Sequence, residues 1–429
     1  MILNKEKLAK FYLLGLLLCV YFPTFEVYDK ASAQYFFISI LNTVSLIVVP
    51  FYIKKIDLKV YFRQPFLIFY LAYIIISMLS IISAINTTES FVKIFQIITF
   101  FISLSFITLF VYEKLIKIDF LLIIVSFSLM VDMYYSLTAY IPFLINGIDY
   151  TYSENNRLVG LYGNRNILAT ILCFKIPFVI LLAYRKRVTY ISILSFTLTT
   201  MAFFNITLLS SRATYLSIII CVIFMLLILF FLYQKRLYLR YYLKNTLLFF
   251  IPLIAALMIS SYSIDSQDQG AVVNRISSIT SLDDVSKNTR LRYYEDAVTH
   301  TLKNPFLGGG IGNWKIISLK YDAENIYNYI IPYNAHNDIL EAFAETGILG
   351  GLFFLLFFLS IPYIFLKNLK EKLLDKNEFT QSVLLFLPFI IYFVDLNLNF
   401  PSARPSNQVV LLLYLALIMI TQIKINDKT

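Results

Sequence analysis

Apolar residues along this chain gather into long unbroken stretches instead of recurring every second or every third to fourth position. Twelve such stretches are evident: 8–24, 34–53, 64–84, 92–112, 118–145, 167–184, 188–209, 213–233, 246–263, 347–366, 380–399 and 407–423. About 20 apolar residues in a helix cross the hydrocarbon core of a bilayer, so each stretch predicts a membrane-spanning helix. The fifth exceeds that length and predicts a tilted or broken helix. No stretch alternates as the strands of a membrane β-barrel do, and no internal repeat is visible. The expected fold is an all-α integral membrane protein organised in three parts. Residues 1–263 hold nine spans, 264–346 form a large polar loop with short helices, and 347–429 hold three more spans.

The polar segments between the stretches alternate in charge. Those on the side of both termini carry Lys5, Lys7 and Lys10; Lys54, Lys55, Lys59 and Arg63; Lys114 and Lys117; Arg185, Lys186 and Arg187; Lys235, Arg236, Arg240 and Lys244; Lys367, Lys370, Lys372 and Lys376; Lys424 and Lys428. The positive-inside rule places that side, and with it both termini, in the cytoplasm. The opposite side holds the long loop 264–346 and a shorter polar loop, 146–166. Loops positioned by a rigid scaffold carry function disproportionately, so chemistry is expected on this outer face.

Composition agrees with this reading. Of 429 residues 59% are hydrophobic and 14% charged, and the mean hydropathy is +0.74. This excludes a disordered chain and an ordinary soluble enzyme. The net charge of +10 would suggest nucleic acid in a soluble protein. Here it divides by side: the cytoplasmic segments carry 22 basic against eight acidic residues, the remainder 14 against 18. The excess is an orientation signal, and no nucleic-acid partner is expected. Cys19, Cys173 and Cys221 lie within apolar stretches with no CxxC pair, so buried small hydrophobes are expected, with neither disulfide nor zinc. The basic-then-apolar start lacks an A-x-A-like cleavage site and reads as a retained span.

Candidate chemistry lies in four outer segments and three intramembrane charges. His336, in AHNDILEAFAETGILGG, precedes a short helix whose apolar positions are Ile339, Leu340, Phe343 and Ala344 and which Gly347 closes. A histidine titrates near neutrality and can take a proton from a hydroxyl; a capping or surface histidine is the plain alternative. His300, in EDAVTHTLKNP, reads as a helix-surface residue. Arg212, in LLSSRATY between two nearly contiguous spans, is an outer-face arginine that suits bidentate phosphate binding or, more simply, snorkels to the headgroups. In NTRLRYYEDAVTHTLKNPFLGGGIGNW, Arg290–Lys303 reads as an amphipathic helix ended by Asn304-Pro305, then a flexible glycine turn where backbone could approach a ligand. The glycines lack the Lys-Ser/Thr ending of a P-loop, which argues against nucleotide. Arg290 and Arg292 are candidate anion ligands expected on different sides of their helix. In RLVGLYGNRNILA, from Arg157, the residues Arg165 and Asn166 lead into a span, as a tight turn or as a loop that orders a sugar or phosphate. Tyr293, Tyr294 and Trp314 are candidates for stacking on sugars or for packing. Asp132, Lys175 and Asp395 fall within spans, where charges face a partner or a cavity; Lys175 could pair with either aspartate.

Taken in order, RLVGLYGNRNILA, SSRATY, TRLRYYEDA, NPFLGGGIGNW and HNDILEAFAETGILG resemble the motifs of the O-antigen ligase and O-antigen polymerase family of bacterial membrane glycosyltransferases. Tyr294 stands where that family commonly has Trp. The resemblance covers about 157–352. It implies a GT-C-like fold and a glycan on undecaprenyl diphosphate as donor at the outer face of the cytoplasmic membrane. Lipid A–core or a second lipid-linked glycan is the implied acceptor. It implies inverting transfer without metal, cofactor or nucleotide sugar. The residues carried over are Arg212 and Arg290 for the diphosphate and His336 for the acceptor hydroxyl, with Arg292, Arg157, Arg165, Asn166, Asn337 and Trp314 as further substrate contacts. The His-Asn, nine residues, Gly-x-x-Gly pattern tips the expectation toward a ligase. A polymerase with the same chemistry, or a polytopic transporter, are the alternatives. Against a transporter stand the motif-rich outer loop and the lack of a repeat.

Overall fold

A computed structural model describes residues 4–23, 29–53, 62, 64–146, 150, 156–263, 285–325, 332–372 and 375–426. Several expectations therefore lie outside the described residues: the basic positions Lys54, Lys55, Lys59, Arg63 and Lys428, and the loop stretches 147–149, 151–155, 264–284 and 326–331.

Among the described residues there are fourteen α-helices and no β-strand. They are α1 Lys5–Leu18, α2 Lys30–Tyr52, α3 Pro65–Leu79, α4 Thr87–Tyr112, α5 Ile118–Ile145, α6 Arg165–Lys186, α7 Thr189–Leu209, α8 Arg212–Gln234, α9 Leu239–Ser263, α10 Val285–Lys303, α11 Trp314–Asp322, α12 Asp338–Lys372, α13 Lys376–Leu398 and α14 Pro405–Asn426. Eleven, α2–α9 and α12–α14, are long and apolar enough to cross a membrane, and each coincides with a stretch read from the sequence. The first stretch forms only the 14 residues of α1 and a 3₁₀ turn, Cys19–Tyr21. The fifth stretch is one continuous helix of 28 residues. At 1.5 Å per residue it extends about 42 Å, so it must tilt or protrude. The chain is an all-α polytopic membrane protein.

Local chemistry sets the helix starts. Asp29 accepts hydrogen bonds from the Ala31 and Ser32 amides, Asn86 from those of Thr88 and Glu89, and Asn164 from that of Asn166. These are side-chain caps on otherwise orphaned amides. Pro65 and Pro405 open α3 and α14, at the position where a missing N–H costs nothing.

The chain forms two compact units. One comprises Met1–Ile116, Leu282–Tyr363 and Leu396–Thr429, the other Lys117–Ser281 and Ile364–Asp395. The units thus interleave in sequence, where the hydropathy pattern divides the chain at 263 and 346. In the first unit α14 is the central helix, with 89% of its apolar window buried, and α1, α2 and α4 pack around it. Asn42 ties three of these helices, accepting from Tyr12 (2.7 Å) and Ser103 (3.1 Å) and donating to the Thr99 carbonyl (3.0 Å). In the second unit α6 is central, with 94% of its window buried. A helix apolar all round belongs in such a position. Lys175 in its middle pairs with Asp132 of α5 and donates to Ser128 (2.7 Å). The sequence leaves two partners open; the structure selects Asp132, and Asp395 instead accepts from Thr170 (3.0 Å). The three cysteines are buried thiols.

Candidate active site

In the first unit, polar groups converge on His336. The residue takes a left-handed backbone conformation (φ 56°), which costs a non-glycine side chain roughly 1–3 kcal/mol. Three contacts fix this turn. Glu341, one turn into α12, accepts from the Ala335 amide (2.8 Å) just before the histidine. Asn337 just after it caps α12, accepting from Ile339 (3.1 Å) and Leu340 (3.0 Å). The Tyr294 hydroxyl of α10 has one proton to share between the His336 carbonyl (3.1 Å) and the Asn397 carbonyl (2.8 Å).

The imidazole itself is clamped by aromatic rings. Tyr293 stacks on it at 6.3 Å, and Phe400 meets it edge-on at 5.2 Å. Burial first, and then the like charge of Arg290, lower its pKa from 6.5 to about 4. The ring is therefore neutral at pH 7, and its buried Nδ1 finds no hydrogen-bond partner. A neutral imidazole with a vacant ring nitrogen beside an arginine can accept a proton next to bound negative charge.

In the second unit the arginines stand at helix starts. Arg165 opens α6 and Arg212 opens α8, and the two are near enough to repel one another. A cation at the positive end of a helix dipole is placed against the usual preference. Two together make a locus for an anion. Ser210, in a left-handed conformation (φ 51°), makes the tight turn before Arg212, and Tyr215 braces it through the Thr207 carbonyl (3.1 Å). A buried hydroxyl chain runs behind it: Asp395 accepts from Thr170 (3.0 Å), Thr170 and Thr214 lie 3.4 Å apart, and Thr214 donates to Ser211 (3.1 Å). Nearby, Tyr162 of the GLYGN segment donates to Asp132 (2.8 Å), tying that segment to the buried ion pair. Arg157 is exposed, and Asn166 is half-buried in the first turn of α6.

The structure therefore brings His336, Asn337 and Arg290 together in one unit, and Arg212 with Arg165 in the other. Three expectations are corrected. Trp314 cannot stack on a sugar, because it is 1% exposed in a core with Ala297, Ile317, Ala335 and Ala344. Arg292 pairs with the buried Asp322 (Nε to Oδ1 2.5 Å) and lies over the Tyr293 ring, so its charge is already compensated within the protein where a substrate anion was expected. His300 is buried, not on a helix surface, and lies 3.1 Å from the Tyr321 hydroxyl.

The glycine turn likewise meets protein, where a ligand was expected. Gly308, Gly310 and Gly312 all have positive φ, and a Cβ at the first two would come within 2.5 Å of Ala344 and Ala84. Asn313 continues the lock, accepting from the Asn86 amide (2.7 Å) and donating to Ser90 (2.9 Å). Two carboxylates had no sequence signal beyond their helical spacing: Glu341 at the histidine turn, and Glu345, which accepts from the Trp314 amide (2.8 Å). Among the described residues no three His, Cys, Asp or Glu gather as a metal site.

The chain is thus a polytopic helical membrane protein with a histidine turn in one unit and two helix-start arginines in the other. Residues 196–355 match the family model described as O-Antigen ligase. This stretch, a little over a third of the chain, holds Arg212, Arg290 and His336 and is similar to that family. No curated protein matches the chain.

Proposed function

We propose that the protein transfers a glycan from undecaprenyl diphosphate to an acceptor hydroxyl at the outer face of the cytoplasmic membrane, with lipid A–core as acceptor. The observation that carries this reading is the neutral His336 beside Arg290, inside the stretch that matches the O-antigen ligase model.

The chemistry follows from the substrate. The acceptor oxygen attacks the anomeric carbon as the bond to the diphosphate breaks, which inverts that centre in one displacement. A diphosphate leaves readily, so no strong general acid is required. The sequence resemblance assigns to Arg212 and Arg290 the role of offsetting the charge that grows on it. His336 takes the hydroxyl proton. An imidazole near 4 is a weak base at pH 7. Diphosphate bound beside Arg290 would cancel the like charge and raise it toward its ordinary value. The base would then be strongest when donor is bound. Transfer needs no metal in this scheme.

Deletion of the gene followed by gel analysis of surface glycan tests the reading. Unattached lipid-linked polymer with bare core is the expected result, whereas core bearing a single repeat would mark a polymerase instead. Restoring the gene with Arg212→Ala, Arg290→Ala or His336→Ala should leave inserted protein and no transfer, and EDTA should leave the wild-type activity intact. A normal glycan profile from any one variant removes that residue from the mechanism.

A further inference from the structure

One cation beside His336 has no place in the scheme so far. Arg404 ends the short connection between α13 and α14, Asn399 to Arg404. Four observations set it apart from an ordinary headgroup-contacting arginine.

First, it shares a neighbour with the imidazole. Its guanidinium carbon lies 5.1 Å from the centroid of the Phe400 ring, the same ring that meets His336 edge-on at 5.2 Å. Second, the connection that carries it is pinned to the histidine turn. The Ser402 amide donates to Asp338 (2.8 Å), and Tyr294 joins the His336 and Asn397 carbonyls. Asn337 donates to the Asn397 side chain (3.4 Å). Tyr35 and Gln408 both donate to the Ser402 carbonyl (3.5 and 2.7 Å).

Third, its charge is poorly compensated. Arg404 is half-buried, its Nε is buried without a hydrogen-bond partner, and among the described residues no carboxylate forms an ion pair with it. Asp29 and then Tyr35 attract it electrostatically without forming an ion pair, and the Asp29 carboxylate is engaged in capping α2 and binding the Ser32 hydroxyl (2.7 Å). Burying a cation without a partner is costly. Fourth, Arg404 immediately precedes α14, its carbonyl accepting from the Asn407 and Gln408 amides (both 3.1 Å). A cation there faces the positive end of the helix. Each of the last two costs would fall if an anion bound.

We propose that Arg404 is a further substrate-binding residue, ligating a phosphate group of the lipid-borne substrate brought to His336. The inference rests on the function proposed above. The shared chemistry is a phosphate, carried either by the isoprenyl diphosphate donor or by a phosphorylated acceptor. A guanidinium over an aromatic ring keeps its planar fork free for two parallel N–H···O bonds, a geometry lysine cannot reproduce.

The experiment uses the full-length protein in nanodiscs, with Arg404→Met and Arg404→Lys beside wild type. Binding of undecaprenyl diphosphate and of phosphorylated lipid A–core is titrated, and donor and acceptor KM are measured where transfer is seen. Arg404→Met should weaken one of the two ligands at least about tenfold and raise the matching KM more than it lowers kcat. Loss for undecaprenyl diphosphate assigns the residue to the donor, and loss for lipid A–core alone assigns it to the acceptor phosphate. Arg404→Lys should retain part of the affinity, and it replaces the methionine variant should that fail to fold. Unchanged affinity for both ligands in a folded variant overturns the inference and leaves the proposed function standing. Failure of wild type to bind undecaprenyl diphosphate overturns that function and this inference with it.

Discussion

His336 owes its properties to its surroundings. The sequence places a histidine before a short helix; it does not show that Tyr293 and Phe400 enclose the ring or that Arg290 repels its proton. Because the pKa is lowered, the group is neutral above about 4. Arg290→Gln removes the second of the two causes, so the value should rise part of the way toward 6.5. Histidine carbon shifts followed by NMR against pH would report this directly. With only two histidines in the chain, a His336→Gln spectrum identifies the signal. A titration that stays near 4 in Arg290→Gln would mean that burial alone sets the value. Arg212 and Arg290 were legible as candidates because outer-face arginines run against the charge bias. Arg404 was not, because its significance depends on Phe400, a contact across 64 residues from His336. The same limit explains Trp314. An aromatic next to a glycine-rich turn looks available, and only packing against Ala297 and Ile317 reveals it as core.

At the scale of elements, hydropathy was enough to locate helices, since a stretch of about 20 apolar residues has few structural outcomes. Their partners were less accessible. Lys175 and Asp132 illustrate the difference, for the sequence marks both as costly intramembrane charges but cannot pair them. Now that the pair is seen, its energetics can be stated. Lys175→Met alone strands a buried carboxylate and should destabilise the second unit by roughly 3–5 kcal/mol. Joining it to Asp132→Leu should recover most of that loss, because an apolar pair of similar volume removes both desolvation costs. Thermal unfolding of the two variants in detergent checks this, and a double variant no more stable than the single would contradict it. The double variant also removes the acceptor for Tyr162, so any remaining deficit reports the tie to the GLYGN segment. The glycine turn of 308–312 teaches the converse lesson. Its composition was plain in the sequence, yet what its backbone approaches, Ala84 and Ala344, lies far along the chain.

For the whole molecule, orientation follows from charge asymmetry. By the positive-inside rule, the basic excess on one set of segments predicts both termini in the cytoplasm and the histidine turn outside. The buried native cysteines give a quiet background for a labelling test. A cysteine at Tyr333, which is 64% exposed and three residues before His336, should react with a membrane-impermeant maleimide in spheroplasts. One at Lys235, after α8, should react only once the membrane is opened. The reverse pattern would invert the topology and remove the proposed outer-face chemistry.

The kink at Gly347 has a geometric consequence. Its backbone (φ 73°, ψ −175°) leaves the helical region, and the following Ile348 amide is held by the Pro305 carbonyl (2.8 Å). From Asp338 to that point the chain is one short rigid rod, with the imidazole turn fixed to its far end. The residues between His336 and Gly347 therefore act as a gauge of both height and bearing. One residue more or fewer would move the turn by about 1.5 Å along the rod and swing it by about 100° around it, carrying the imidazole away from Arg290, Phe400 and Arg404 together. Side chains along this rod can vary so long as they pack, whereas its length can hardly vary at all.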